Sequence, residues 1–287
     1  MAFFLKNCYK LKANLQLFGS YDLMEQEQLK RLKIWFDNYV CGFYGENEFV
    51  NANIRLKEQH THRTCEEMLY LARELGLLEN QKRMAEAIAL LHDTGRFEQF
   101  VKYRTYHDPR SVNHCLLGLE VLRRMKVIEG LDSKERQLIE RAIEYHGLME
   151  LPGGLDGECL LFSKLIRDAD KLDIFFVVVD NYRQYRENPE QFKLEVELPD
   201  EPQYSAEVVE QLLAGQRIDY SMLRTWNDMK LCQLGWVYDV NFSQTLRRIT
   251  ERGFLENIFD FLPDNEDIEK VRKKIFDYVG LRTEQNR

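Results

Sequence analysis

The run Arg83–Phe97, RMAEAIALLHDTGRF, decides how this chain is read. Up to Leu91 it is apolar on nearly every side, which marks a buried central helix rather than an amphipathic surface one. It ends on His92-Asp93. A carboxylate in that setting cannot stay charged alone, because an unpaired buried charge costs several kcal/mol or neutralises, so a cation is expected beside it. With imidazoles as the other groups, that cation is expected to be a transition metal.

Working outward, four of the six histidines and two aspartates fall in the order His60, His92-Asp93, His114, His146, Asp170, each on or beside a helical apolar stripe. Downstream of Lys57, the residues Thr64, Met68, Leu71 and Leu75 share a side with His60, whereas His62 aligns with Glu66 and Arg73. His60 is therefore the inward residue and His62 the exposed one. In DPRSVNHCLLGLEVLRRM, Asp108-Pro109 has the form of a cap followed by proline at the first helical position, and His114 shares a face with Leu117, Gly118, Val121 and Met125. In DSKERQLIERAIEYHG, Asp132 or Ser133 starts a helix whose stripe is Ile139, Ala142, Ile143 and His146, with Gly147 placed to end it. His107 falls in the loop before Asp108.

This ordered set resembles the HD superfamily of metal-dependent phosphohydrolases, over roughly residues 53–180, through LKEQHTHRT, AIALLHDTGRF, SVNHCLLG, IEYHG and LIRDADKLDIF. The resemblance implies an all-α helical bundle in which His60, His92, Asp93 and Asp170 hold one ion, while His114 and His146 extend the site to a second. Asp93 is then the carboxylate bridging both ions. The family's later aspartate follows an alanine, which selects Asp170. Asp173, one turn on, is either an acceptor behind the site, a packing partner or a solvated charge, and Asp168 is expected at the surface. Implied cofactors are one or two divalent transition-metal ions, from Fe, Mn, Ni, Co or Zn.

The chemistry implied is cleavage of a small molecule's phosphate ester, a nucleotide or phosphorylated metabolite, by metal-activated hydroxide. Asp93 and Arg96 are the catalytic candidates. Arg96 stands where relatives commonly have lysine, and its guanidinium suits a phosphoryl oxygen, with a salt bridge at the helix end as the equal alternative. Arg110 and Lys171 are further substrate-binding candidates. Some HD proteins are instead di-iron oxygenases that activate dioxygen, and the ligands alone do not separate the two. YHGLMELPGG lacks the Gly-Tyr-Pro signature of the cyclic-diguanylate branch, so that substrate is disfavoured.

A net charge of -8 over 287 residues and a pI near 5.5 argue against nonspecific nucleic-acid binding. The six scattered cysteines form no Cys-x-x-Cys pair, and no membrane span is present, so a cytoplasmic protein with reduced thiols is expected. Residues 1–23 form a basic leader, disordered or added upstream of a natural start at Met24. Residues 24–287 are expected to form a single domain, with the motif-bearing core at 53–180 and a helical extension at 204–287. Leu29, Leu32, Trp35, Phe36 and Tyr39 make the apolar side of a first helix. Phe192, Leu194, Val196 and Leu198 alternate as a strand-like excursion. Neither an internal repeat nor a nucleotide-binding loop is evident.

Overall fold

The computed structural model describes residues 24–155, 157–188 and 198–284. Every regular element among them is helical, which agrees with the all-α expectation. The leader at 1–23 and nearly all of the alternating stretch at 192–198 lie outside the described residues.

The chain divides into two compact units, Met1–Asp170 and Lys171–Arg287, with the division inside one long helix. In the first unit, helix α1 (Gln26–Cys41) buries Leu29, Leu32, Phe36, Tyr39 and Val40. Helices α2 (Glu48–Glu74) and α3 (Glu79–Leu91) form a hairpin. Its turn is stopped by Gly76 at φ +70°, with Gly76 N–H bonded to Arg73 O at 2.9 Å and Leu77 N–H to Ala72 O at 2.9 Å. Those two bonds satisfy the Arg73 and Ala72 carbonyls in the last turn of α2, and glycine pays no Cβ penalty at that φ. As its composition predicts, α3 is enclosed: Met84, Ala85, Ala87, Ile88, Ala89 and Leu91 have no exposure at all.

Helix α4 (Thr94–Tyr103) follows after a break of two residues, His92 and Asp93. Asp93 leaves helical geometry at φ -103°, ψ 17°, and the Thr94 hydroxyl donates to Leu91 O at 2.9 Å across the bend. The bend is held from below by Phe97, packed against Phe36, Tyr39 and Phe43 at ring distances of 5.8–6.0 Å, and by the Tyr39 hydroxyl on Thr94 O at 3.3 Å. Helix α5 (His114–Arg124) lies against α4 so closely that a Cβ on Gly95 would stand 2.2 Å from His114 O and 2.6 Å from Gly118 N. Only glycine allows that backbone approach.

The helix expected from Asp108-Pro109 is a correction. Asp108–Arg110 makes one 3₁₀ turn, and α5 starts at His114 with the Asn113 side chain accepting from Leu116 N–H. The Asp108 carboxylate is turned instead toward His114, so asparagine takes over as cap. Helix α6 (Ser133–His146) begins as expected, with Asp132 and Glu135 satisfying each other's backbone N–H groups. Gly147 follows it, and a Cβ there would meet Cys115 Sγ at 2.7 Å. Helix α7 (Gly157–Glu187) carries the second correction: Asp168 is fully buried, and so are Leu165, Ile166 and Ala169 around it, so this stretch of the helix is enclosed on several faces. Asp173 is buried as well, which removes its solvated alternative.

The second unit continues with α8 (Ala206–Leu213), α9 (Trp226–Gly235), α10 (Ser243–Glu251), α11 (Phe254–Phe259) and α12 (Glu266–Glu284). Its organising polar group is Asp228. The buried carboxylate accepts from the backbone N–H groups of Ser205, Arg224 and Thr225 and from the Ser205 hydroxyl at 2.6–3.2 Å. No helix among the described residues is long and apolar enough to cross a membrane.

Candidate metal centre

Five pieces of the first unit converge. His60 comes from the middle of α2, His92 and Asp93 from the bend between α3 and α4, His114 from the first residue of α5, His146 from the last residue of α6, and Asp170 from α7. All four histidines and Asp93 are buried, as the stripes predict, whereas His62 and His107 are exposed.

Asp93 divides the cluster. Its Oδ2 lies 3.4 Å from His60 Nε2 and 3.7 Å from His92 Nε2, and Asp170 Oδ1 lies 3.1 and 3.8 Å from the same two nitrogens. Its Oδ1 lies 3.6 Å from His114 Nε2 and 3.8 Å from His146 Nε2, which stand 3.1 Å from each other.

The tautomers follow from the other ring nitrogens. His92 Nδ1 donates to Ala89 O and His146 Nδ1 to Ile143 O, both at 2.7 Å, and His114 Nδ1 donates to Asp108 Oδ2 at 2.7 Å. A neutral imidazole has one N–H, so in its neutral form each of these three turns an Nε2 lone pair into the cluster. Burial lowers the His92 pKa to about 4, so its ring is neutral near pH 7. Its buried Nε2 has no hydrogen-bond partner among the described residues. Burial would raise the Asp93 pKa, but the Lys57 ammonium and the surrounding histidines outweigh it and hold the carboxyl well below its usual range. Burial also opposes protonation of His146, yet the Cys115 sulfur and Asp93 outweigh it and hold the ring well above its usual value. Two lone pairs facing at 3.1 Å repel unless a positive charge lies between them. A proton or a metal ion in that position removes the repulsion.

The donors fit such ions. A circle through Asp93 Oδ1, His114 Nε2 and His146 Nε2 has a radius of about 2.0 Å, the length of a metal bond to imidazole or carboxylate. In the other half, the four nitrogen–oxygen edges run from 3.1 to 3.8 Å and bracket the edge of about 3.4 Å for a tetrahedron of 2.1 Å bonds. Residues 58–174 match the family model of the HD domain. The protein carries an HD domain. The matched span includes every one of the six candidate ligands, and the HD domain is the mark of a superfamily of metal-dependent hydrolases. No curated protein and no solved structure matches the chain.

Around the HD cluster the remaining candidates are placed differently. Arg96 Nη1 donates to Gln99 Oε1 (2.9 Å), Tyr106 O (2.5 Å) and Asp108 Oδ1 (2.8 Å), and its Nε is 3.5 Å from Asp93 Oδ1. It is thus both a structural ion pair and a positive charge beside the dividing carboxylate. Arg110 is exposed on the 3₁₀ turn. Lys171 donates to Asp239 Oδ2 at 2.8 Å within the second unit. Of the three, only Arg96 is brought to the cluster.

Sequence reasoning missed three neighbours. Lys57 Nζ donates to Asp93 Oδ2 at 2.9 Å. Asp108 accepts from His114, Arg96 and Gln99, and these partners outweigh burial to keep it ionised far below its usual pKa. Cys115 Sγ is 3.4 Å from His114 Nε2 and groups with His114 and His146 as a set able to hold an ion. Burial would raise this thiol's pKa, but His146 and His114 lower it to about 6. The remaining cysteines among the described residues are free thiols, buried except Cys41.

Proposed function

We propose that the protein is a metal-dependent phosphohydrolase acting on a phosphate ester of a small molecule, a nucleotide or phosphorylated metabolite, with two divalent ions. The observation that carries the reading is the division of Asp93, whose two oxygens each face their own pair of imidazoles. His60, His92, Asp93 and Asp170 would hold one ion, and Asp93, His114 and His146 the other. Bound there, such ions supply Lewis acidity toward phosphoryl oxygens and activation of water near neutral pH.

The protein's own residues do the rest. Asp93 fixes the separation of the two halves through one rigid carboxylate. Arg96, locked by Asp108 and Gln99, keeps its charge beside Asp93 without reorganising, which favours negative charge developing on a phosphoryl group. Arg110, on the exposed turn next to this network, would meet the anionic part of the substrate. Lys171 is committed to Asp239 and has no part in the proposal.

The test is phosphate release from a panel of phosphomonoesters and phosphodiesters by protein loaded with Mn, Fe, Co, Ni or Zn, with oxygen uptake followed in parallel. Metal-dependent phosphate release is the expected result. Substrate-dependent oxygen uptake without phosphate release from any ester would overturn the hydrolase reading in favour of an oxygenase.

A further inference from the structure

Lys57 stands one turn before His60 on α2, and helical spacing puts the two on the same face. Its ammonium is 2.9 Å from Asp93 Oδ2, the same oxygen that faces His60 and His92. Below it lies the Tyr106 ring, with the centroid 5.3 Å from Nζ. The Tyr106 hydroxyl donates to Asn53 O at 2.8 Å, one turn before Lys57, so α2 itself fixes the ring that supports the ammonium. The Lys57 side chain is 18 % exposed, against 4 % for Asp93 and 5 % for His60. Asp170 is 21 % exposed, so Lys57 and Asp170 form the edge of the cluster that solvent reaches, with Asp93 and His60 behind them.

We propose that Lys57 is an oxyanion-binding residue at the open edge of the cluster. It neutralises Asp93 while the ions are absent, and it takes a non-bridging phosphoryl oxygen of the substrate once they are bound. This rests on the metal-centre reading above and adds the residue that recognises the anion.

Two considerations require the exchange of partners. An ammonium and a divalent ion that share a single carboxylate oxygen repel each other, so loading weakens the hold of Asp93 on Lys57. The flexible four-carbon stem with three rotatable donors lets the ammonium turn to another acceptor nearby. Charge points the same way: the carboxylates of Asp93, Asp108 and Asp170 are nearly balanced by Lys57 and Arg96, so two divalent ions leave the centre with excess positive charge. A phosphate dianion offsets most of that excess. Lysine rather than a neutral donor at this edge therefore selects for an anionic substrate.

The experiment measures two affinities in parent, Lys57→Met and Lys57→Arg. Divalent-ion affinity is read by competition with a chelating dye, and inorganic phosphate binding to the loaded protein by calorimetry, with circular dichroism and thermal unfolding as the check on folding. In Lys57→Met the ion should bind several-fold more tightly, because its competitor for Asp93 is gone, while phosphate should bind about tenfold more weakly through loss of one charge-assisted hydrogen bond. Lys57→Arg should keep phosphate affinity within about threefold of the parent, and it decides the matter alone if the methionine variant does not fold. Loss of phosphate affinity in the arginine variant as complete as that expected of the methionine one would overturn the proposal, as would unchanged phosphate affinity in Lys57→Met. A parent that loads ions but binds no phosphate would do so too. A parent that takes up no divalent ion would overturn the metal-centre reading itself, and the subsite with it.

Discussion

His60, His92 and Asp170 gather around one oxygen of Asp93, and His114 and His146 around the other, yet the two halves are built on different terms. The first supplies two carboxylates to two imidazoles and has Lys57 as a resident cation. The second supplies one carboxylate oxygen to two imidazoles and a neighbouring thiol, with the facing nitrogens 3.1 Å apart. Their supports differ as well. His92 is oriented by the carbonyl of its own helix, whereas His114 is oriented by Asp108, itself held by Arg96 and Gln99. The first half is thus an oxygen-rich site fixed by local helix geometry. The second is richer in nitrogen and sulfur, and although His146 is held by the Ile143 carbonyl of its own helix, the placement of His114 depends on a side-chain network that one substitution can loosen.

If Asp93 is the shared wall of both halves, Asp93→Ala should have the largest effect, removing both ions and reducing turnover to background while the far-ultraviolet spectrum stays helical. Retention of a full complement of metal would break the comparison at its centre. His114→Ala should come next, acting on one half only: metal content falls from about two ions per chain to about one, with His60, His92, Asp93 and Asp170 keeping theirs. Equal loss from both halves would mean that they do not load separately.

Asp108→Asn should act more gently, weakening the second ion by about 10- to 100-fold, the usual effect of removing a carboxylate behind a metal-binding histidine, and leaving the first ion unchanged. Stepwise titration with a chelator resolves the two. The smallest effect is expected from Gly95→Ala, where a methyl group pushes α4 away from α5. Overpacking of this kind costs about 1–3 kcal/mol, visible as a lowered unfolding temperature, with the His114 half loosened more than the His60 half. An unchanged unfolding temperature would show that the close approach of α4 and α5 is not needed.

The all-α architecture and the convergence of the six candidate ligands were legible in the sequence because both rest on helical periodicity. Once His60, His114 and His146 fall on apolar stripes, packing the stripes together brings the imidazoles together. What periodicity does not report is the second layer. Lys57 carries no sequence mark that separates it from a solvated lysine, and only the packing of α2 against the bend at Asp93 gives it a partner. Asp108 before Pro109 has the form of a helix cap, and that local signal is overridden by a tertiary one: the carboxylate is worth more under His114 Nδ1, and Asn113 can cap in its place. Asp168 misleads for a related reason. In RDADKLD the charges suggest a wet face, but α7 is enclosed there and the carboxylate goes inside with it. The neighbourhood of Cys115 was not legible either, since it depends on Gly147 leaving room for the sulfur beside His114.

The division of Asp93 between two ions is tested most directly by elemental analysis of the parent protein, prepared without a chelating tag and saturated with one divalent metal at a time. Two ions per chain are expected, falling to one in His114→Ala. A parent that holds a single ion under saturating supply, with His114→Ala holding the same, would contradict a two-ion centre and leave His114 and His146 as a proton-sharing pair beside a one-metal site.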